Sequence, residues 1–198
     1  MSQAVLISIR PKWCELIASG KKTIEVRKTA PKIETPFKCY IYCTKLHPGE
    51  PDSMINLNGR TSFYMPQCGA VIGEFVCAEI DRYARYGWLK EPARYMKSSP
   101  GGYPATEIHY ASLQLSPNAL EDYGQGAPLF GWHISELKIY DRPRKLSDFK
   151  RWNRSEENSP CAHMKWLYEP CETCSECNLK RPPQSYCYVE ETRRYNNG

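Results

Sequence analysis

Ser19-Gly20-Lys21-Lys22-Thr23-Ile24-Glu25-Val26-Arg27-Lys28 places a helix stop, a strand start and one carboxylate among four cations within ten residues. Gly20 stands where a helix would end, because glycine adopts the left-handed C′ conformation without a Cβ clash. Thr23, Ile24 and Val26 favour extended backbone, so a strand should begin directly after it. Side chains alternate on a strand. Thr23, Glu25 and Arg27 therefore share one face, and Ile24 and Val26 share the other. With the Ile/Val face in the core, Glu25 and Arg27 stand together, with Lys21 or Lys22 at the mouth. A carboxylate held among cations suits anion binding or proton transfer; a solvated strand face with surface ion pairs has the same spacing.

Upstream, Val5–Ile9 reads as a short strand, and Pro11 suits the first turn of a helix. Trp13, Leu16 and Ile17 form its apolar stripe up to Gly20. Downstream, residues 29–37 are a proline-punctuated loop, and Lys38–Thr44 is a nearly continuous apolar and aromatic strand. Residues 45–68 form a long connection, read as an excursion over a site or an insertion. Gly69–Asp81 is a long strand in which Gly73 marks a bulge or a close backbone approach, with Glu74 beside it. Residues 82–115 look irregular and aromatic-rich. Ser116–Gly124 has a serine N-cap and proline at N1, and so is a short helix. Gly131–Tyr140 is a further strand of uncertain register. It carries His133, read as a hydrogen-bonded structural residue. Asp141–Phe149 leaves the sheet as a turn, Arg181–Glu190 is a proline-led closing strand, and residues 191–198 are a frayed tail.

The 198 residues suffice for one core plus an appendage, or for two small domains. We expect a main domain over 1–149 and a cysteine-rich extension over 150–198 that closes back onto it. No apolar run approaches a membrane span, and Met1–Ile9 reads as a strand and not as a signal peptide, so a cytoplasmic location is expected. The net charge of +5 is modest, but residues 138–155 hold seven Lys/Arg against two Asp, and residues 20–32 hold five against one Glu. Two basic segments in a near-balanced chain suggest a polyanionic partner.

Of ten cysteines, five (Cys161, Cys171, Cys174, Cys177 and Cys187) fall in the last 38 residues. The others are scattered through apolar stretches, as buried thiols are. Cys171, Cys174 and Cys177 make two overlapping C-x2-C steps. In a cytoplasmic chain such clustering points to metal before disulfide. Cys171, Cys174, Cys177 and Cys187 are the expected ligands of a structural zinc ion, with Cys161 or His163 as substitutes.

Pro11-Lys12-Trp13, Leu16-Ile17 and the Gly20–Lys28 segment resemble the ASCH domains, which are small β-barrels related to the PUA fold. Gly69–Ile80 and Gly131–Ser135 resemble strands of the same barrel. Pro182–Val189 resembles the ending of phage and prophage members with a cysteine-bearing tail. The resemblance implies an α+β fold, a PUA-like β-barrel with short flanking helices, and a cleft for RNA or a nucleotide-like ligand. It also implies a hydrolase alternative, since some members are amidohydrolases of N4-acetylated cytidine and others have been described as ribonucleases. Lys22 matches the amidohydrolase lysine and Glu74 its strand glutamate, whereas the threonine position falls on Glu25.

On the binding expectation, Lys12, Lys21, Lys22, Glu25 and Arg27 line the cleft, with Arg142, Arg144 and Lys145 as phosphate contacts; Trp13 packs in the helix core or stacks a base. On the hydrolase expectation, Glu25 or Glu74 is the general base, Lys22 polarises the substrate oxygen and Arg27 steadies the developing anion. A protein-binding adaptor with a zinc tail is the third expectation.

Overall fold

Strand β1 (Gln3–Ile9) is buried along almost its whole length, from Ala4 to Ile9. Such a continuous apolar run belongs to a strand covered on both faces. It pairs antiparallel with β10 (Tyr186–Glu190) and parallel with β3 (Phe37–Cys43). A parallel neighbour requires a long crossover, and residues 10–36 supply it. The computed structural model describes residues 2–46, 55–57, 61–63, 68–86, 94–152 and 177–191.

The crossover carries helix α1 (Pro11–Ala18), which ends at Gly20 with φ +72°, as expected for a glycine stop. Strand β2 (Ile24–Arg27) follows. The 45–68 connection contains a small hairpin, β4 (Ile55–Leu57) with β5 (Thr61–Phe63). Next come β6 (Ala70–Tyr86), β7 (Arg94–Ser98), β8 (Pro104–Thr106), α2 (Tyr110–Leu113), α3 (Pro117–Gly124) and β9 (Leu129–Arg144). A single 3-10 turn covers Leu146–Asp148. The mixed sheet with short helices is an α+β arrangement.

The chain forms two compact units. The first comprises Met1–Cys14, Lys38–Glu74 and Lys138–Gly198. Its core joins Leu6, Tyr40, Tyr42, Val71, Phe149, Leu179 and Val189. The second comprises Glu15–Phe37 and Phe75–Leu137. Its core joins Ile24, Val26, Tyr83, Tyr95, Ile108, Leu113, Leu120 and Leu129. Each such fully buried side chain contributes about 1.5–3 kcal/mol of transfer free energy.

Three expectations are corrected. First, the strands do not close into a barrel: among the described residues the pairing order runs from β10 through β1, β3, β6 and β7 to β8, and its two ends do not pair. Closure needs terminal strands of matched tilt and register, but here they have five and three residues, and β6 also pairs with β9. Second, the 82–115 stretch is not irregular: residues 82–86 continue β6, and β7, β8 and α2 follow within it; in β6, Arg82 and Arg85 are exposed while Tyr83 and Tyr86 are buried. Third, β9 runs on through Arg144 where a turn was expected. Glu136 lies in left-handed backbone with φ 47°, which breaks the two-residue period and accounts for the unclear register in sequence.

Ser116 caps α3 as expected, its hydroxyl accepting from Ala119 N–H at 3.2 Å. Gly73 is a close approach: a Cβ there would lie 2.5 Å from the Lys138 carbonyl oxygen. Backbone cannot swing aside as a side-chain tip can, so Gly73→Ala should cost about 1–3 kcal/mol of stability through overpacking. A lowered urea midpoint at unchanged m-value is the expected result; an unchanged midpoint would mean that the two strands separate freely.

Candidate functional site

Strand β2 pairs antiparallel with β9, with Ile24 opposite His133, Glu25 opposite Trp132, Val26 opposite Gly131 and Arg27 opposite Phe130. Opposed residues share a face. Glu25 and Arg27 therefore lie on the Trp132 face, and Ile24 and Val26 lie on the face of His133 and Gly131. Trp132 is fully buried and meets Phe37 edge-on at 5.8 Å. Beside this apolar pair Glu25 is only 6% exposed.

A carboxylate taken from water needs paired charge and hydrogen bonds. Arg27 Nη2 lies 3.0 Å from Glu25 Oε1, and Lys22 Nζ lies 3.5 Å from Oε2. Lys22 is itself 2% exposed and donates to the Leu113 carbonyl at 2.6 Å. The turn after Gly20 holds it there, since Lys22 N–H donates to the Leu16 carbonyl and Thr23 N–H to that of Ser112. Burial holds the Lys22 ammonium below the usual lysine range, against the opposing pull of the Glu25 carboxylate. Tyr123, from α3, borders the group: burial raises its hydroxyl pKa, with Arg27 and Glu25 as the nearby charges. Tyr123 is 37% exposed, and Lys28 Nζ sits 5.2 Å from its ring centroid. Lys21 and Lys28 are exposed.

The structure thus brings Lys22, Glu25 and Arg27 together in the second unit. Lys21 lies in the second unit as well, and the remaining described site residues belong to the first. There Glu74 accepts from Tyr140 Oη at 2.6 Å and lies 3.8 Å from Lys38 Nζ, which also pairs with Glu191 at 2.9 Å. Lys12 is exposed, with its Nζ 5.0 Å from the ring centroid of half-buried Trp13. Arg144 lies over the Phe149 ring at 4.5 Å, while Arg142 and Lys145 are exposed. Cys187 lies in β10, and burial pushes its thiol up to about 11. The Cys177 carbonyl accepts from Arg151 N–H at 3.0 Å. Cys161, His163, Cys171 and Cys174 lie outside the described residues.

Sequence reading missed a second polar group in the second unit. Asp81 is 6% exposed; its Oδ2 lies 2.9 Å from His133 Nε2, and its Oδ1 pairs with Lys97. Burial pushes the Asp81 carboxyl up, but the hydrogen bonds from Lys97 and His133 outweigh it and hold the group below the usual carboxylate range. Glu79 joins the group through Lys97 Nζ at 3.4 Å. One ligand atom each from Glu79, Asp81 and His133 lies within 4.8 Å of the others, a spacing that could hold a cation. Lys97 already supplies positive charge there. The alternation of Glu79, Asp81 and Tyr83 along β6 was the available signal.

A lysine whose folded pKa is depressed releases its proton more readily when folded, so stability rises with pH from that value up to the ordinary 10.5. The wild-type stability advantage over Lys22→Met should therefore climb across this window, as read by urea unfolding at successive pH values. A flat difference would contradict the desolvated ammonium.

The ASCH domain model matches residues 7–115. Among curated proteins the sequence finds no match. A crystal structure of ASCH from Zymomonas mobilis is 20% identical, with 72% of this chain and 73% of that one covered and a TM-score of 0.46. A tyrosine-to-phenylalanine mutant of the same protein is 19% identical, with 72% and 76% covered and a TM-score of 0.46. The family model spans more than half of the chain, which therefore belongs to the ASCH domain family.

Proposed function

We propose that the Lys22–Glu25–Arg27 group, with Lys21, Lys28 and Tyr123, binds RNA or a nucleotide-like ligand. The observation that carries this is the meeting of cations with a partly exposed aromatic ring around one buried carboxylate. Phosphates pair with lysine and arginine, and a base can stack on tyrosine. Glu25 fixes Arg27 and Lys22. The first unit carries exposed cations of its own, Lys12, Arg142, Lys145 and Arg151. Membership of the ASCH family agrees with this role.

Single-stranded RNA binding, followed by fluorescence anisotropy, tests it. Tyr123→Ala should weaken binding by about 1–3 kcal/mol, the worth of one stacked base. Lys28→Ala should reduce the slope of log K against log salt by about 0.7, the counterion release of one single-strand phosphate. Both side chains are exposed enough for the fold to survive. Absence of RNA binding, or salt-insensitive association with protein alone, would contradict the proposal and favour the adaptor.

One observation favours a hydrolase alternative. Burial lowers the Lys22 pKa, which makes a lysine a better base or nucleophile at neutral pH. Release of acetate from N4-acetylcytidine by wild type, lost in Lys22→Met, would establish that activity.

Zinc ligation by Cys171, Cys174, Cys177 and Cys187 is likewise proposed. Arg151 supports it: its N–H binds the Cys177 carbonyl, and Arg151 also bridges to Val189, two residues beyond Cys187. Protein purified without chelator should carry about one zinc per chain, lost on joint Cys171→Ser and Cys174→Ser substitution. Metal-free protein would contradict it.

A further inference from the structure

Three cysteines that lie far apart in sequence meet in the first unit. Cys43 ends β3, Cys68 lies shortly before β6, and Cys14 lies in α1. Cys43 Sγ and Cys68 Sγ are 3.6 Å apart. A backbone hydrogen bond from Gly69 N–H to the Cys43 carbonyl, at 2.8 Å, holds the two residues side by side. Cys43 is 1% exposed, and Cys68 is half-buried. None of the three is in a disulfide.

We propose that Cys43 and Cys68 are an oxidant-responsive thiol pair that closes to a disulfide on reaction with hydrogen peroxide. The environment separates the two roles. Hydrogen bonds with Cys14 and Cys68 hold the Cys43 thiol below its ordinary value, which makes Cys43 the attacking sulfur of the pair. Burial and the adjacent Cys43 charge push Cys68 up to about 12, so it keeps its proton. The thiolate is the nucleophilic form. Cys43 sulfur attacks one peroxide oxygen, the O–O bond breaks, and the departing hydroxide is protonated to water. Cys43 is then a sulfenic acid. Cys68 sulfur attacks the Cys43 sulfur, the S–O bond breaks, and hydroxide leaves as water with the Cys68 proton. Two thiols lose two electrons in total, the peroxide gains them, and one disulfide and two waters result. The new bond would tie the end of β3 to the entry of β6 across the 45–67 connection.

The test treats the intact full chain with hydrogen peroxide, unfolds and alkylates it, and maps peptides without reduction. A Cys43–Cys68 linked peptide is expected, with alkylation of both sites lost together and restored by a dithiol reductant. Buried Cys39 and Cys77 are internal references and should stay alkylatable. In Cys68→Ser, dimedone should label Cys43 after peroxide, because the resolving thiol is gone. Cys43 and Cys68 remaining alkylatable, linking to other cysteines, or giving no dimedone adduct would each overturn the proposal.

Discussion

The fold of the second unit depends on burying Glu25. Ile24 and Val26 must face the core, and the two-residue period of a strand then sends Glu25 to the opposite face. That face is not solvent: Trp132 stands opposite in the β9 register and Phe37 packs against it. An unpaired carboxylate in such surroundings would cost several kcal/mol. Arg27 comes from the same strand, two residues on. Lys22 comes from the turn before it, whose conformation Gly20 permits. Lys22 in turn needs a second acceptor, and the end of α2 supplies the Leu113 carbonyl. One buried charge thus fixes the placement of α1, β2, α2 and β9.

Local features of this arrangement were legible in the sequence. The glycine stop at Gly20, the strand at Ile24 and Val26 and the Ser116 cap each depend on a few consecutive residues, and Gly73 was visible as a lone glycine inside a strand pattern. What was not legible depends on partners distant along the chain. Nothing near Glu25 indicates that Trp132 will cover it, or that Tyr123 will border the site. Asp81 and His133 meet across 52 residues, so His133 showed no local partner, although a hydrogen bond there was expected. The barrel failed for a related reason: closure depends on pairing between the outermost strands, which no single stretch encodes.

The β2–β9 ladder separates two polar groups by chemistry as well as by face. On the Trp132 side the carboxylate is outnumbered by cations and edged by an aromatic ring. On the other side Asp81 is satisfied by His133 and Lys97, and Tyr83 closes over Gly131, where a Cβ would meet its hydroxyl oxygen at 2.3 Å. Lys21, Lys28 and Tyr123 are exposed in the segments that carry the first group, and the second group is internally paired. In the first unit, Glu74 is likewise held by Tyr140 and Lys38, an arrangement suited to joining strands.

Photo-crosslinking with 4-thiouridine-labelled RNA, mapped by peptide mass spectrometry, addresses the central claim most directly, because it reports where the base lies. Crosslinks concentrated on Tyr123 and on residues 21–28 are the predicted result. Crosslinks confined to other surfaces, with those residues unmarked, would contradict the Lys22–Glu25–Arg27 group as the nucleotide site.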